Sequence, residues 1–467
     1  MTRVVVINGL RGDARPTTIQ NVLSISRYLA VDKILNVNIF GLVPEVRNLS
    51  AVILTYDFLA LRSLPIWKVL VRRVQSLIES APVRIAMPQD DYTCCDILDE
   101  FICDLGITHV YTPINCDLEV LYPHATARSV KFFEALTGYV DVAEFNRVSQ
   151  FSRPFSERQI DVGQRIRLLP PHLGSEAGEK GKLAIEFSKR AREAGFECDV
   201  STRSEDVLLG DDWYRFLGNS KYTVSAKGGA TLADPKGKLA DQVRRMHLRE
   251  STVSNNVINS RLKRHLGRTG NFTAISPRIF EASAMGVCQI LKRDDYFDGF
   301  EAWKHYVPIE KDSDLFTDVF DLMRDDARAI EIVIASQEFL LGSDKYTYKN
   351  FLRGLSKEIG LAASVATPRV TDSSSVLDRA VGDNGEALVW LQSYLSRAMA
   401  SGTLRKVERL LASGTFFCLS DEDRAWISHA ENCKESILMW VQALLSKRLI
   451  VESVVIPWRS VSSYLQS

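Results

Sequence analysis

The chain has 467 residues, of which 46% are hydrophobic and 25% are charged. This composition excludes disordered, collagen-like and disulfide-scaffold proteins, and at roughly 100 to 200 residues per domain it favours two to four domains. Its 58 basic residues balance 58 acidic ones, whereas nucleic-acid binders carry a basic excess. We therefore expect no nucleic-acid partner.

The cellular location is indicated by the cysteines and by the distribution of apolar residues. None of the eight cysteines pairs at CxxC spacing, which is typical of reduced thiols in a cytosolic protein. No sustained apolar run follows Met1, and no uncharged stretch approaches the roughly 20 residues of a membrane-spanning helix. We expect a cytoplasmic protein.

Two segments are candidates for peripheral contact with the inner face of the membrane. Ile66–Val74 combines apolar residues with Lys68, Arg72 and Arg73, and Ile437–Leu445 precedes Lys447 and Arg448. Basic amphipathic helices bind anionic lipid surfaces. Helices packed on their own domain have the same pattern.

The first third of the chain alternates short apolar strands with helices. Val4–Ile7 predicts a buried strand, the loop with Gly9 and Gly12 follows, and Thr17–Ala30 has helical spacing of apolar residues. Further strands are predicted at 51–55, 83–87, 109–111 and 131–133, with helices at 66–78 and 95–104. This alternation indicates a doubly wound α/β domain over residues 1–150.

A second α/β pattern begins near Ile160. Strands are predicted at 196–201, 222–226, 287–291 and 306–309, and helices at 182–194, 211–217, 276–285, 315–323 and 327–341. The pattern predicts a second Rossmann-like domain over residues 151–360. After a linker-like segment at 366–375, residues 376–467 are predicted to form a helical extension.

Charge is unevenly distributed between the two predicted domains. Residues 1–150 hold 14 basic and 16 acidic residues, whereas residues 151–280 hold 23 and 15. The basic residues concentrate in one segment: Lys236, Lys238, Arg244, Arg245, Arg249, Arg261, Lys263, Arg264 and Arg268. This segment is either a solvated helical face or a cover for an anionic ligand.

One helix carries the clearest signal for ligand binding. Ser276 is a good N-cap, Pro277 suits the first helical position and Gly286 ends the helix before an apolar strand. Arg278 in the first turn, beside free backbone N–H groups, suits a phosphate. Glu281, one turn further, is either an acceptor for a ribose diol or an ordinary helix residue.

The segment Ser276–Gly286 (SPRIFEASAMG) resembles the donor-binding helix of GT-B glycosyltransferases. A bacterial group of glycosyltransferase-like proteins, similar to the group 1 type, also matches other segments: Gly210–Gly218 (GDDWYRFLG), Trp303–Ile309 (WKHYVPI), Pro88–Tyr92 (PQDDY) and Leu136–Tyr139 (LTGY). The resemblance covers roughly residues 1–360.

This resemblance implies two Rossmann-like domains facing each other across a cleft. The implied activity is transfer of a hexose-like sugar from a nucleotide-diphosphate sugar to a saccharide or lipid-linked acceptor, in bacterial surface polysaccharide synthesis. It implies that Glu281 holds the ribose. Many retaining enzymes of the fold carry a second glutamate eight residues earlier, where this chain has Thr273, so the sugar contact and the stereochemistry stay open.

Further donor-side candidates are glycines and cations. Lys227, Gly228 and Gly229 follow a predicted strand, so they form either a phosphate loop or a plain turn. Arg165 and Arg167 lie where GT-B enzymes often place a cation on the diphosphate. Surface arginines have the same pattern.

The acceptor-side and catalytic candidates lie mostly in the first domain. Asp90 and Asp91 follow a strand directly, where open α/β sheets place their sites. Either is a candidate general base or acceptor ligand, although a loop aspartate is equally consistent. Gly9, Gly12, Tyr56 and Asp57 would border the same cleft, and His305 is a further catalytic candidate because it lies in a matched segment.

We expect neither a cofactor nor an obligatory metal. There is no HExxH, His/Cys cluster or EF-hand motif. The acidic pairs at Asp312/Asp314 and Asp421/Asp423 do not follow a buried strand. The nucleotide sugar would be a co-substrate.

Three other functions remain open from the sequence. An epimerase of the same fold would make a new sugar without an acceptor. A non-catalytic scaffold would bind a nucleotide or a protein partner, the latter through residues 376–467. Nucleic-acid binding through residues 236–268 would depend steeply on salt.

Overall fold

The structure is a computed structural model, and it describes residues 2–10, 14–41, 43–44, 46–64, 66–174, 176–250, 253–310 and 316–360. The predicted helical extension at 376–467, the segment Ile437–Leu445 and the acidic pairs at 312/314 and 421/423 lie outside the described residues. Gly12 does too.

The first sheet is parallel throughout and has six strands in the order β2-β1-β3-β4-β5-β6. Its strands are β1 (Arg3–Asn8), β2 (Lys33–Asn38), β3 (Ala51–Leu54), β4 (Val83–Ala86), β5 (His109–Thr112) and β6 (Lys131–Glu134). Val4–Ile7 are at most 1% exposed, as expected of a strand covered on both faces.

The second sheet is also parallel and has five strands, in the order β13-β12-β9-β7-β8. Its strands are β7 (Ile160–Arg165), β8 (Cys198–Ser201), β9 (Ser220–Ser225), β12 (Cys288–Lys292) and β13 (Val307–Ile309). A separate antiparallel pair is formed by β10 (Gly228–Ala233) and β11 (Arg268–Ala274). The predicted α/β class with two Rossmann-like domains is confirmed.

Helices connect and cover the two sheets. The α-helices are α1 (Pro16–Tyr28), α2 (Tyr56–Leu59), α3 (Trp67–Glu79), α4 (Cys95–Asp104), α5 (Leu118–Leu121), α6 (Val142–Val148), α7 (Glu179–Glu193), α8 (Asp211–Gly218), α9 (Lys238–Arg249), α10 (Asn255–Arg261), α11 (Arg278–Ala284), α12 (Thr317–Met323), α13 (Asp326–Leu341) and α14 (Tyr348–Glu358). Short 3-10 helices lie at Ala60–Ser63, Ser149–Phe151, Phe155–Glu157, Pro171–Leu173, Glu176–Gly178, Ser204–Asp206, Arg264–Leu266 and Asp344–Tyr346.

The amphipathic segment that includes α3 packs on its own domain. Trp67, Leu70 and Val74 are buried in the core of the first sheet, and Arg73 donates to the carbonyl oxygens of Ile39 and Gly41 at 2.7 Å. The apolar face of α3 is therefore used within the first domain. In the described part of the chain, no helix combines the length and apolar character needed to cross a bilayer.

The antiparallel pair β10–β11 and the segment between them, residues 228–274, form an arm that packs on the first domain. Asp234 exchanges backbone hydrogen bonds with Tyr92 (2.8 Å) and Cys94 (2.7 Å). Arg268 pairs with Asp96 at 2.6 Å. Ala230, Ala233 and Phe272 join the same buried cluster as the first sheet. The sequence prediction missed this arm.

The last described helix also returns to the first sheet. Val140 and Thr347 form a parallel bridge where the chain crosses between the domains. Beyond it, Leu352 and Leu355 of α14 are buried against Val4 and Ile53 of the first sheet. The chain therefore passes several times between the two domains, and its last described helix belongs to the core of the first.

Candidate functional site

Both sheets have a topological switch point, and the two switch points meet in the cleft. The strand order reverses between β1 and β3 in the first sheet and between β7 and β9 in the second. Ligands of open α/β sheets bind in the crevice outside such points, because the loops on either side lead away from each other. The candidate site therefore lies where these two crevices face.

On the first domain, the switch point is closed by Asp57. Gly9 donates its N–H to Asp57 Oδ2 at 2.6 Å and Thr55 donates its hydroxyl to Oδ1 at 2.5 Å. A Cβ on Gly9 would lie 3.0 Å from the Asp57 carbonyl oxygen, so a side chain there would crowd the loop that holds Asp57. Both carboxylate oxygens of Asp57 hold the loops together, which makes it a structural residue of the crevice.

Tyr56 forms part of the wall beside Asp57. Its hydroxyl contacts that of Thr18, and burial raises its pKa. It also lines a small pocket at the carboxyl edge of the first sheet, beneath α14, together with Gln89, Tyr111 and Tyr348. The phenol is thus neutral at physiological pH and can donate or accept hydrogen bonds at the carboxyl edge of the first sheet.

Asp90 is the exposed member of the predicted aspartate pair. It follows β4 with a φ of 52°, and Tyr92 donates a 2.6 Å hydrogen bond to its Oδ1. Arg62 donates to its backbone carbonyl at 2.7 Å. The loop is therefore held while the carboxylate stays accessible.

Asp91, predicted as a catalytic alternative, lies in the interior. It is 0% exposed, and Thr112 and Tyr122 each donate to its Oδ2 at 2.5 Å. Burial raises its pKa, and the two hydroxyl donors oppose that rise. A carboxyl with no exposed surface cannot reach an acceptor, so the structure removes Asp91 from the catalytic candidates.

Glu281 joins the two domains. It is 6% exposed; Thr17, at the start of α1, donates to its Oε1 at 2.7 Å, and Trp213 Nε1–H donates to its Oε2 at 2.8 Å. Trp213 belongs to the matched segment 210–218 and lies on α8. The indole of the same domain thus orients one carboxylate oxygen, while a hydroxyl from the other domain binds the second.

Arg278 lies one turn before Glu281 and points toward the end of β7. Its Nη1 donates to Gln164 Oε1 at 3.1 Å and to the Arg165 carbonyl, and its guanidinium lies 5.1 Å from the Trp213 ring centre. Burial lowers its pKa to about 10, with Glu281 opposing this effect. It is a charged group held in a partly dry site. Helix α11 begins at Arg278 and the Ser276 side chain does not cap it, so the predicted N-cap is wrong.

Lys180 is a site residue that the sequence prediction missed. It lies in the first turn of α7, and burial lowers its pKa to about 7, with a further decrease from Arg278 and an opposing effect of Glu281. The predicted helix begins at Lys182, so Lys180 was left in a loop. The sequence feature that could have identified this residue is the Lys180–Gly181 pair at the start of the helix that follows β7.

The predicted glycine loop after β9 is shorter than expected, and its glycines begin the next strand. The connection is only Ala226 and Lys227, because Gly228 and Gly229 belong to β10. Gly229 has a φ of 135°, and a Cβ there would lie 2.2 Å from the Phe272 carbonyl oxygen; pairing with β11 therefore requires glycine. Lys227 remains at the switch point, 2.9 Å from Asp294.

Arg165 points away from the cleft. It donates to Asp199 Oδ2 at 2.9 Å, and its guanidinium lies 4.2 Å from the Phe216 ring centre. Its carbonyl oxygen, rather than its guanidinium, meets Arg278. Arg167 is exposed in the following loop. Neither side chain joins Lys180 and Glu281 in this arrangement.

His305 packs in a small aromatic core of the second domain. It is 5% exposed and stacks on Phe300 with ring centres 5.3 Å apart. Its Nδ1 accepts the N–H of Glu301 at 2.8 Å, and burial lowers its pKa. The structure assigns it a packing role, which removes it from the catalytic candidates.

The structure thus brings together part of the predicted set. Glu281, Arg278 and Lys227 lie at the second switch point with Lys180, and Gly9, Tyr56 and Asp57 lie at the first. In the described ranges no group of three or more metal-ligating side chains occurs.

Comparison with known proteins was made at the level of families, curated sequences and solved structures. No family model matches the chain, and no curated protein matches it. Solved structures with weak similarity include a glycosyltransferase from Rickettsia africae, with 10% identity and a TM-score of 0.38 over 77% of this chain and 99% of that chain.

Two other solved structures have similar values. HepE from Anabaena, in complex with UDP-glucose, has 9% identity and a TM-score of 0.41 over 78% of this chain and 100% of that chain. TarM from S. aureus has 13% identity and a TM-score of 0.37 over 66% and 55%. At these values the likeness assigns neither a fold nor an activity, so both rest on the geometry of the chain itself.

Proposed function

We propose that the chain is a glycosyltransferase that moves a sugar from a nucleotide-diphosphate sugar to a saccharide or lipid-linked acceptor in the cleft. The donor would lie at the switch point of the second sheet and the acceptor at that of the first. The biological setting that we propose is the synthesis of a bacterial surface polysaccharide.

The observation that carries this proposal is the convergence of Lys180 and Arg278 beside Glu281. Arg278 is held at the end of β7 by Gln164 and the Arg165 carbonyl, and its charge and that of Glu281 both act on Lys180 in the first turn of α7. Burial lowers the pKa of both cations, and a bound diphosphate would stabilise their charged forms. The Thr17 hydroxyl on Glu281 Oε1 is the same kind of donor as a ribose hydroxyl. One site thus offers the chemistry for both halves of a nucleotide.

The chemical step would depend mainly on stabilisation of the leaving diphosphate. Lys180 and Arg278, with Lys227 at the rim, would neutralise the charge that develops when the glycosidic bond to phosphate breaks. In this proposal these side chains take the part that a divalent cation has in metal-dependent transferases. Activity is therefore expected to persist in a chelator.

Asp90 is the acceptor-side residue that we propose to engage the attacking hydroxyl. It is exposed at the carboxyl edge of the first sheet, whereas Asp57 uses both oxygens within its own domain. A carboxylate positioned by Tyr92 can accept the proton of an acceptor hydroxyl or orient it. Closure of the domains would exclude water from the donor.

The first test is thermal stabilisation of the full chain by a panel of nucleoside diphosphates and their sugars. Saturation at about 100 times the dissociation constant adds roughly 2.7 kcal/mol to the free energy of unfolding. Glu281→Gln and Lys180→Gln should lose that response. Glu301→Gln and Lys304→Gln are matched controls, because this exposed pair lies 2.9 Å apart on the second domain, and they should keep it.

The outcome decides the proposal. A wild-type chain that no nucleotide stabilises, or cleft variants that respond as the controls do, would contradict the donor site. A stabilising nucleotide then selects the donor for a transfer assay in the presence of EDTA, with release of the nucleoside diphosphate as the readout.

A further inference from the structure

The arm carries a concentrated positive surface on a chain whose net charge is zero. Seven basic side chains of its helical part are exposed: Lys236, Lys238, Arg245, Arg249, Arg261, Lys263 and Arg264. The acidic residues of the same segment are Asp241, which pairs with Arg244 and Arg245, and Glu250. Most of the positive charge therefore faces solvent.

Three of these cations form one line along α9, which we call the cationic stripe: Lys238, Arg245 and Arg249. Steps of seven and four residues return to the same face of a helix. At 1.5 Å per residue the stripe is about 16 Å long. Leu239 and Val243, on another face of α9, are buried in the core of the arm.

The basic residues after α10 lie beside this stripe. The backbone N–H of Lys263 donates to Gln242 Oε1 at 3.0 Å, and Gln242 lies on α9 between the positions of the stripe. Arg264 is held by Asn259 at 3.0 Å. The two helices of the arm thus contribute to a single positive surface.

One end of the stripe lies at the acceptor side of the cleft. Tyr92, which donates to Asp90, accepts the backbone N–H of Asp234 at 2.8 Å. Asp234 Oδ2 in turn accepts the N–H of Ala240 in the first turn of α9, at 2.9 Å. Hydrogen bonds through Tyr92 and Asp234 thus connect the accessible carboxylate of Asp90 to the first turn of α9, where the stripe begins.

The polarity of this surface favours a polymer over a lipid bilayer. Helices that lie in a bilayer interface bury apolar side chains in it. The large apolar side chains that are exposed in the described residues are Val142, Leu168, Ile185, Ile330 and Ile334, all outside the arm. Among the side chains that the structure describes, the arm offers charge in a line and no large exposed apolar side chain.

We propose that the cationic stripe docks the acceptor, and that the acceptor is a linear polymer with phosphate groups along its backbone. This inference rests on the proposed glycosyltransferase function, because it assigns the acceptor of that reaction. Phosphates along the stripe would hold the polymer on the arm, and its end or a side hydroxyl would reach Asp90.

The test measures binding of fluorescently labelled linear polyphosphate to the full chain at several salt concentrations. The stripe variant is Lys238→Ser/Arg245→Ser/Arg249→Ser. Its control is Lys182→Ser/Lys189→Ser/Arg192→Ser, which removes three exposed cations from α7 on the second domain. Melting temperatures establish that both variants fold.

We expect the wild type and the control to bind polyphosphate with similar affinity. The stripe variant should bind at least tenfold more weakly. Its slope of log binding constant against log salt should fall by about two, at roughly 0.7 per lost phosphate contact. Labelled dextran, which is uncharged, should not bind.

Equal loss in both variants, or no polyphosphate binding by the wild type, would overturn the inference. So would binding to vesicles of phosphatidylglycerol and phosphatidylcholine, without binding to polyphosphate, since it would make the stripe a membrane contact. Thermal stabilisation by nucleoside diphosphates is measured on the same samples. If nucleoside diphosphates stabilise the wild type and both variants, a lack of polyphosphate binding contradicts the acceptor surface alone. If they do not stabilise the wild type, the donor site itself is contradicted.

Discussion

At the scale of single residues, the cleft is defined by groups whose environment is unusual for their type. Lys180 has a pKa of about 7 because it is partly dehydrated beside Arg278. Glu281 has both oxygens occupied by donors, one from each domain. A lysine with a strongly lowered pKa is typical of sites that bind charged ligands, and both residues give a measurable consequence.

Lys180 predicts the pH dependence of donor affinity. A nucleotide sugar has no phosphate proton to lose near neutrality, so its affinity should follow the lysine. Binding should be tightest below pH 7, where Lys180 is charged. The affinity should fall as the pH rises above 7, and should become constant again above the higher pKa that Lys180 has in the complex. Isothermal titration between pH 6 and 9 measures this.

The arginine variant is the control for Lys180. Lys180→Arg keeps its charge over the whole range, so its affinity should be independent of pH. A wild-type profile as flat as that of the arginine variant would contradict the assignment of Lys180 to the diphosphate.

Thr17 predicts a ligand-dependent stability change. Thr17→Val removes the hydrogen bond to Glu281 and should lower the free energy of unfolding by about 1.5 to 3 kcal/mol, as for bonds to charged groups. With saturating nucleotide the loss should shrink, because a ribose hydroxyl would replace Thr17. Chemical denaturation with and without nucleotide measures the difference.

A second interdomain bond supplies the comparison for Thr17. Thr137 donates to the Ile275 carbonyl at 2.5 Å and does not touch Glu281. Thr137→Val should therefore cost the same with and without nucleotide. If both variants respond alike, Glu281 does not exchange Thr17 for the ligand.

At the scale of elements, the arm is the feature that departs most from the sequence prediction. Its two strands mix glycine, alanine and polar residues with few large apolar ones, and more than thirty residues separate them along the chain. The pairing depends on the backbone conformation of Gly229, where a Cβ would clash with β11. At the neighbouring Gly228 a Cβ would meet no atom within 4 Å. The two adjacent glycines thus have different functions.

Alanine substitutions distinguish them. Gly229→Ala places a Cβ 2.2 Å from the Phe272 carbonyl oxygen at a φ of 135°, and should cost more than about 2 kcal/mol of stability. Gly228→Ala meets no atom within 4 Å and should change stability by less than about 0.5 kcal/mol. Urea denaturation of both variants measures this; similar costs would contradict the pairing.

At the scale of the whole molecule, the second half of the chain helps to build the first domain. The arm and α14 both pack on the first sheet. His172, in the 3-10 helix Pro171–Leu173 beside the arm, is buried, and the adjacent Leu173 joins the core of the first domain. Loosening of the arm should therefore affect global stability.

His172 predicts acid sensitivity of the fold. Burial lowers its pKa from 6.5 to about 4, so between these values the unfolded chain binds the proton and the folded chain does not. The stability contributed by the neutral ring is complete above pH 6.5 and is lost as the pH falls toward 4. The difference amounts to about 3 kcal/mol at 1.36 kcal/mol per pKa unit.

Replacement of the ring isolates this effect. His172→Leu should flatten the dependence of the melting temperature on pH between 4 and 6.5, whereas His265→Leu, at an exposed site on the arm, should leave it unchanged. A wild-type slope that persists in His172→Leu would assign the acid sensitivity to other groups.

The sequence by itself determined the two parallel sheets and the approximate place of α11, the helix that carries Arg278 and Glu281. Buried parallel strands are continuous apolar runs, and Val4–Ile7 and Val287–Leu291 are recognisable without any knowledge of their neighbours. The edge strand β2 was missed because Lys33–Asn38 mixes polar and apolar residues at the rim of the sheet. A local run of apolar residues identifies a strand that is fully buried, but it does not identify a strand that is only partly buried.

Only the tertiary structure decided which side chains share the cleft. Asp90 and Asp91 are neighbours in sequence, yet one is exposed and the other has no exposed surface. Arg165 ends β7 and Lys180 begins the next α-helix, but an ion pair with Asp199 holds the Arg165 guanidinium, while the charges of Arg278 and Glu281 act on the pKa of Lys180. The direction of a side chain at a strand end depends on partners distant in sequence, and no local pattern encodes them.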